Sequence, residues 1–289
     1  MTVRLKLLPF CNMEQLAILH EDIYWHTAVV EALNRDYTQV LAPYTDDPSA
    51  FRSMLRDTGS IVSGSTALWF FLRMRTTWTP GDMDLITPYA TFDTVLAYIM
   101  SLPGANPVFY KPDDYLLLPS YCKRQRIRTP GGYIDIVQSR TDSPFTVVSG
   151  YWSTHVMNAL TADAFWSAYP SHTLNMKGIY NHTPKGGCYT SAVDKHIERG
   201  FRISSEPEFA LNVDIAHTCD GYIGCPRRYR VWGDQFTLKV PFAHASVPVL
   251  MKSMAGTFTA GWHLGAPGCG GSKCLSGADY HGTCLQWVR

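Results

Sequence analysis

The sequence predicts a mixed α/β (α+β) fold in which helices flank a mixed β-sheet, followed by an irregular Cys- and Gly-rich C-terminal region. Strand and helix patterns alternate along residues 60–102, an order typical of sheets covered by helices. The runs "RQRIRT" and "YIDIVQS" are then joined by "PGG", which predicts a β-hairpin about a glycine-containing turn. Residues 255–289 show little periodicity, so no regular element is predicted there.

The bulk composition suits one large domain or two medium ones. The chain has 289 residues, of which 46% are hydrophobic, so a sizeable core is available. We predict a core with N-terminal helices over residues 1–148 and a C-terminal extension or second subdomain over residues 149–289, because the hairpin ends shortly before this point.

The charge and the apolar runs limit the expected partners and location. A net charge of +1 provides no global attraction to nucleic acid or to an anionic membrane. No run approaches the roughly 18 apolar residues of a membrane span, and the N-terminus shows no convincing signal-peptide cleavage site. We therefore expect an intracellular protein, in the cytoplasm or nucleus, without a membrane partner.

The helices are predicted from apolar spacing and capping residues. Residues 13–42 predict one or two helices ended by Pro43. A short helix follows, with Asp47 as N-cap, Pro48 in its first turn and Gly59 past its end.

The alternating region comes next, in the order strand 60–64, helix 65–75, strand 83–87 and helix 91–102. The second of these helices has apolar residues at helical spacing, namely Phe92, Val95, Leu96, Ile99 and Met100. A later helix over residues 191–199 is predicted to have Ser191 as its N-cap and Gly200 as its stop.

Acidic residues stand at unusual places in these strands. Asp82 and Asp84 are two apart in "PGDMDLI", so their side chains point to one face, although acids are depleted in strands. Asp135 lies in the hairpin strand "YIDIV". Three carboxylates that converge repel one another, and a divalent cation relieves that repulsion. Oxygen ligands of this kind suit Mg²⁺ or Mn²⁺.

The order of these residues resembles the nucleotidyltransferase superfamily related to DNA polymerase β. Its signature is a Gly-Ser turn that opens a helix, then an acid–apolar–acid strand, then a third acid on a neighbouring strand. The matching residues are Gly64 and Ser65, then Asp82 and Asp84, then Asp135. The resemblance covers roughly residues 55–140, and residues 154–173 also look like poorly characterised fungal members. The loop before Asp82 is longer than is usual in the family.

The resemblance implies transfer of a nucleoside monophosphate from an NTP to a hydroxyl acceptor, with release of pyrophosphate. It implies that Asp82, Asp84 and Asp135 are catalytic and hold two Mg²⁺ or Mn²⁺ ions, and that Asp135 assists deprotonation of the acceptor. Gly64 and Ser65 would bind the nucleotide. The acceptor, whether RNA, a protein side chain or a small molecule, stays open, as do the base and the oligomeric state.

Two other functions compete with this one. The chain is alternatively a catalytically inactive member that binds nucleotide or another protein. A second alternative is a zinc-stabilised nucleic-acid-binding protein, because thiolates and imidazoles suit Zn²⁺. The zinc candidates are His217, Cys219, Cys225, Cys269 and Cys274, with His281 and Cys284 beyond them. No C-x₂-C pair is present, so buried thiols and loop cysteines are the simpler interpretation.

Two basic groups have a structural and a functional interpretation. Alternation places Arg124, Arg126 and Arg128 on one face of the hairpin, and a solvated outer face is favoured over phosphate contacts. Lys195 and Arg199 are one helical turn apart, where they either clamp a triphosphate or make surface contacts.

Overall fold

A computed structural model of the chain describes residues 7–108, 120–181, 190–204, 228–242 and 260–264. The helices are α1 (Met13–Glu21), α2 (His26–Leu41), α3 (Pro48–Thr58), α4 (Gly64–Phe71), α5 (Phe92–Met100), α6 (Phe145–Ser149), α7 (Pro170–Leu174) and α8 (Thr190–Glu198). The strands are β1 (Ile61–Ser63), β2 (Asp82–Thr87), β3 (Asn106–Val108), β4 (Tyr121–Thr129), β5 (Gly132–Ser139), β6 (Asn158–Leu160), β7 (Ala164–Ser167), β8 (Lys177–Ile179), β9 (Arg202–Ser204), β10 (Arg230–Val231), β11 (Leu238–Pro241) and β12 (Gly261–Trp262).

One mixed sheet organises the described part of the chain, with eight strands in the order β11-β7-β6-β1-β2-β5-β4-β3. The β2–β5 pair is parallel and its register sets Asp84 beside Asp135. The other neighbours in this sheet are antiparallel. The predicted membership of strands 60–64 and 83–87 and of the hairpin in one mixed sheet is confirmed.

The two faces of the sheet bury different clusters. One face packs against α1 to α5 through residues such as Val62, Leu85 and Ile136. Because side chains alternate along a strand, the next residues, including Ile86 and Val137, point to the other face and pack with Phe145, Trp166, Trp232 and Trp262. Asp82, Asp84 and Asp135 lie on this second face, beside its apolar cluster.

Most of the helix predictions agree with the structure. Residues 13–42 form two helices, and α3 has its predicted N-cap, because Asp47 Oδ1 accepts a hydrogen bond from the Ala50 N–H at 2.9 Å. Two details were wrong. Met100 is exposed rather than part of the buried face of α5, and α8 begins at Thr190, so Ser191 is a helical residue rather than the N-cap.

The predicted helix over residues 65–75 was too long, since α4 ends at Phe71. Arg73 and Met74 have positive φ angles of 61° and 55°, and their N–H groups donate to Phe70 O and Trp69 O. This pattern closes a helix C-terminus, although glycine usually occupies the left-handed position. The guanidinium of Arg73 lies 3.0 Å from Asp36 on α2, so the residue in the left-handed position is also a partner in a buried ion pair.

The sheet continues past residue 148, because β6, β7 and β11 extend it beyond β1. The predicted division between residues 1–148 and 149–289 therefore does not coincide with an edge of the sheet. Among the helices that the structure describes, none combines the length and the hydrophobicity needed to cross a bilayer.

Candidate active site

The aspartates open onto a cavity of about 170 Å³ on the second face of the sheet. Its walls come from the start of α4, the strands β2, β4 and β5, the segment 147–156 and helix α8. The lining residues include Gly64, Ser65, Asp82, Asp84, Tyr121, Arg124, Asp135, Tyr151, Trp152, Lys195 and His196. All five residues predicted from the motif therefore meet at one place.

Asp84 is the most electrostatically crowded carboxylate of this group. Its register partner on the parallel strand β5 is Asp135, and neighbouring strands are about 4.8 Å apart. Burial raises the pKa of Asp84 to about 7, with further contributions from the charges of Asp82 and Asp135. The charges of Arg124 and Lys195 oppose this rise.

Asp135 has a different environment, because two arginines bind it. Arg126 Nε donates to Asp135 Oδ1 at 2.8 Å, and Arg126 Nη2 donates to Oδ2 at 2.5 Å. Arg124 Nη2 donates to the same Oδ2 at 2.8 Å. Burial alone would raise the pKa of Asp135, but these hydrogen bonds outweigh it and lower that pKa.

The favoured interpretation of the arginine row as a solvated outer face was wrong. Arg124 and Arg126 point at the aspartates, whereas Arg128 is exposed. The register of the hairpin was enough to predict that Arg126 lies beside Asp135. Thr129 pairs with Gly132 across the turn, and counting back along both strands pairs Arg126 with Asp135.

Gly64 and Ser65 form the tight corner between β1 and α4. Gly64 has φ of +61°, and a Cβ at this position would overlap the Asp84 carboxylate. Ser65 is 6% exposed, and its Oγ has no hydrogen-bond partner among the residues that the structure describes. The side chain of Ser65 lines the cavity at the positive end of the α4 dipole, where an anion is stabilised.

Helix α8 contributes a basic group and an imidazole to the wall of the cavity. Lys195 and His196 line the cavity, and Arg199 stacks over the Trp78 ring with Cζ 3.9 Å from its centroid. His196 Nδ1 and His155 Nε2 are 2.9 Å apart. Burial lowers the pKa of His196 to about 3, assisted by Arg199 and Lys195, so its ring is neutral near pH 7.

Sequence reasoning missed His155, His196 and the aromatic residues Tyr121, Tyr151 and Trp152. No local sequence pattern predicts that α8 or the segment 147–156 lies close to β2, the strand of Asp82 and Asp84. Their proximity depends on long-range packing, which spacing along the sequence does not encode.

No family model, curated protein or solved structure matches this chain. Within the described ranges, no group of three His, Cys, Asp or Glu side chains is arranged to hold a metal ion. The zinc candidates, from His217 to Cys284, lie outside the described residues.

The raised pKa of Asp84 predicts a pH effect on stability. Between about pH 4 and pH 7 the folded state binds more protons at Asp84 than the unfolded state does, so the free energy of unfolding falls as pH rises. The Asp84→Asn variant lacks this titration. Urea unfolding with a chelator present should therefore show the wild type losing stability relative to Asp84→Asn across this window. Parallel pH profiles for the two proteins would contradict the environment assigned to Asp84.

Proposed function

We propose that this chain is a nucleotidyltransferase-fold enzyme that moves a nucleoside monophosphate from an NTP to a hydroxyl acceptor in a reaction dependent on Mg²⁺ or Mn²⁺. One observation carries the proposal. Asp82, Asp84 and Asp135, on two parallel neighbouring strands, line one cavity with the Gly64–Ser65 corner. This combination brings hard oxygen ligands next to an anion site, as transfer of a phosphate ester requires.

Asp82 and Asp84 are the residues that fit a divalent cation. Both residues line the cavity. Burial raises the pKa of Asp84, and the charges of Asp82 and Asp135 add to this rise, so a cation at this place would relieve the repulsion among the carboxylates. Asp135 does not fit as a ligand in its present arrangement, because both of its oxygens accept hydrogen bonds from arginine. When bound, the cation supplies positive charge to the reacting phosphate and to the departing pyrophosphate.

The remaining polar groups suit the triphosphate. Gly64 and Ser65, at the start of α4, line the cavity, and Lys195 on α8 adds positive charge to the same cavity. Tyr121, Tyr151 and Trp152 give the cavity aromatic surface, against which a nucleobase can stack. A triphosphate between α4 and α8 then places its α-phosphate near the aspartates.

In the proposed reaction, the acceptor oxygen forms a bond to the α-phosphorus. The bond between that phosphorus and the α–β bridging oxygen breaks, and pyrophosphate leaves. The acceptor proton passes to water. Asp135 is a weak base for this proton, because Arg124 and Arg126 stabilise its ionised form.

The direct test is incubation of the purified chain with each labelled NTP, Mg²⁺ or Mn²⁺, and candidate acceptors of RNA, protein and small-molecule type. We expect pyrophosphate release and a labelled acceptor that both require the divalent cation. Release that is unaffected by a chelator would contradict the proposal.

A second candidate function is a catalytically inactive nucleotide-binding module. The observation that favours it is the double arginine pairing of Asp135, which neutralises one member of the carboxylate triad. This module would bind NTP in the same cavity without releasing pyrophosphate. Equilibrium binding of each NTP, measured beside the transfer assay, separates the two functions.

The zinc-stabilised nucleic-acid-binding alternative has its own measurement. Because the candidate cysteines lack the paired spacing of structural zinc sites, we expect elemental analysis of protein purified without added zinc to find almost none. One zinc ion per chain, lost together with folding on chelation, would restore this alternative.

A further inference from the structure

We infer that the guanidinium of Arg126 occupies the place of a second divalent cation, so that this site binds one such ion where the superfamily it resembles is expected to bind two. The inference rests on the proposed function, and it concerns the number of cations that the aspartates hold.

The geometry of Arg126 is that of a cation shared between two carboxylates. Two of its three nitrogens, Nε and Nη2, donate to the two oxygens of Asp135, at 2.8 Å and 2.5 Å. The same Nη2 lies 3.3 Å from Asp82 Oδ2. One guanidinium therefore bridges a carboxylate of β5 and a carboxylate of β2. The ions of two-metal sites lie about 3.5–4 Å apart, so a second ion in this small carboxylate cluster would have to share it with the guanidinium.

Backbone pairing between β4 and β5 holds Arg126 in this bridging position. Arg126 and Asp135 are direct partners across the antiparallel β4–β5 pair, so the short hairpin holds the guanidinium at the carboxylate. The Arg126 guanidinium also lies over the Tyr133 ring, with Cζ 5.1 Å from its centroid, and its side chain is 19% exposed. An ion that displaced it would leave a largely buried cation without its partner, which is costly.

Arg124 also opposes the binding of a second divalent cation at Asp135. It donates to Asp135 Oδ2 from the next residue of the same face, so a divalent cation at Asp135 would compete with two guanidinium groups. Asp82 and Asp84, in contrast, line the cavity from the neighbouring strand β2, two positions apart on one face. The arrangement leaves Asp82 and Asp84 to hold about one cation.

The test counts bound manganese and does not depend on turnover. Wild type, Arg126→Gln and Arg128→Gln are each dialysed to equilibrium with Mn²⁺ and a non-hydrolysable NTP analogue on both sides. We expect about one Mn²⁺ per chain in the wild type and about two in Arg126→Gln, with an exchange-coupled electron paramagnetic resonance spectrum in the variant. Arg128→Gln is the matched control, because Arg128 lies on the same strand and face but is exposed, and it should match the wild type.

The outcomes separate the inference from the proposed function. Two manganese ions in the wild type would overturn the inference and leave the proposed function standing, and no variant is needed for that result. One ion in a folded Arg126→Gln variant would also overturn it, because Arg126 would then not be what excludes the second ion. Nucleotide bound by the wild type without any manganese would contradict the proposed function itself.

Discussion

Asparagine at position 82 or 84 should reduce NTP-dependent pyrophosphate release by on the order of a thousandfold, because cation contacts contribute several kcal/mol to the transition state. Both side chains line the cavity, and each substitution removes a negatively charged ligand while keeping the size of the side chain. Folding should be retained, because the carboxylates repel one another in the cation-free protein. Steady-state pyrophosphate release measures the effect, and thermal unfolding monitors the fold.

The matched control is Asp93→Asn on α5, where the carboxylate is 90% exposed and is not among the residues that line the cavity. This variant should release pyrophosphate at the wild-type rate. Equal release by the wild type and an Asp82→Asn/Asp84→Asn double variant would eliminate the enzymatic function.

Alanine at Gly64 is expected to reduce transfer by on the order of a hundredfold, as a displacement of about 1 Å in a catalytic group does. The new Cβ would overlap Asp84 Oδ2, so the carboxylate has to move. The positive φ of Gly64 adds about 1–2 kcal/mol of backbone strain for any other residue. Transfer rate and the free energy of unfolding should therefore both fall.

Gly81→Ala provides the control for this substitution. Gly81 precedes Asp82 directly, and a Cβ there would meet no atom of the described residues within 4 Å. Its transfer rate and stability should remain close to those of the wild type. A Gly64→Ala variant with wild-type transfer would mean that Asp84 does not need its present position.

Much of the candidate site was predictable because it depends on local rules. The period of two along a strand placed Asp82 and Asp84 on one face, and the hairpin turn aligned the strand of Asp135. Capping residues predicted α3 from Asp47 to Gly59. Each of these features is determined by residues within a few positions of one another.

The features that could not be predicted depend on contacts between segments that are distant in the sequence. The end of α4 could not be predicted, because Arg73 takes a left-handed conformation beside Asp36, far away in the sequence. Propensity alone would allow the helix to continue. His196 reaches the cavity from α8 by tertiary packing for which the sequence shows no pattern.

The positions of Arg124 and Arg126 were predictable only in part. Their register with Asp135 followed from the hairpin, but the direction of the two guanidinium groups depended on which face of the sheet was solvated. A row of three arginines is usually an exposed row. Here the aspartates on the neighbouring strands reverse that expectation for Arg124 and Arg126.

A crystal structure with Mn²⁺ and a non-hydrolysable NTP analogue tests most directly whether the aspartate cluster binds nucleotide through a cation. We predict anomalous density for manganese between Asp82 and Asp84, with the triphosphate extending from Ser65 toward Lys195. Nucleotide bound elsewhere, or in this cavity without manganese at the aspartates, would contradict the account.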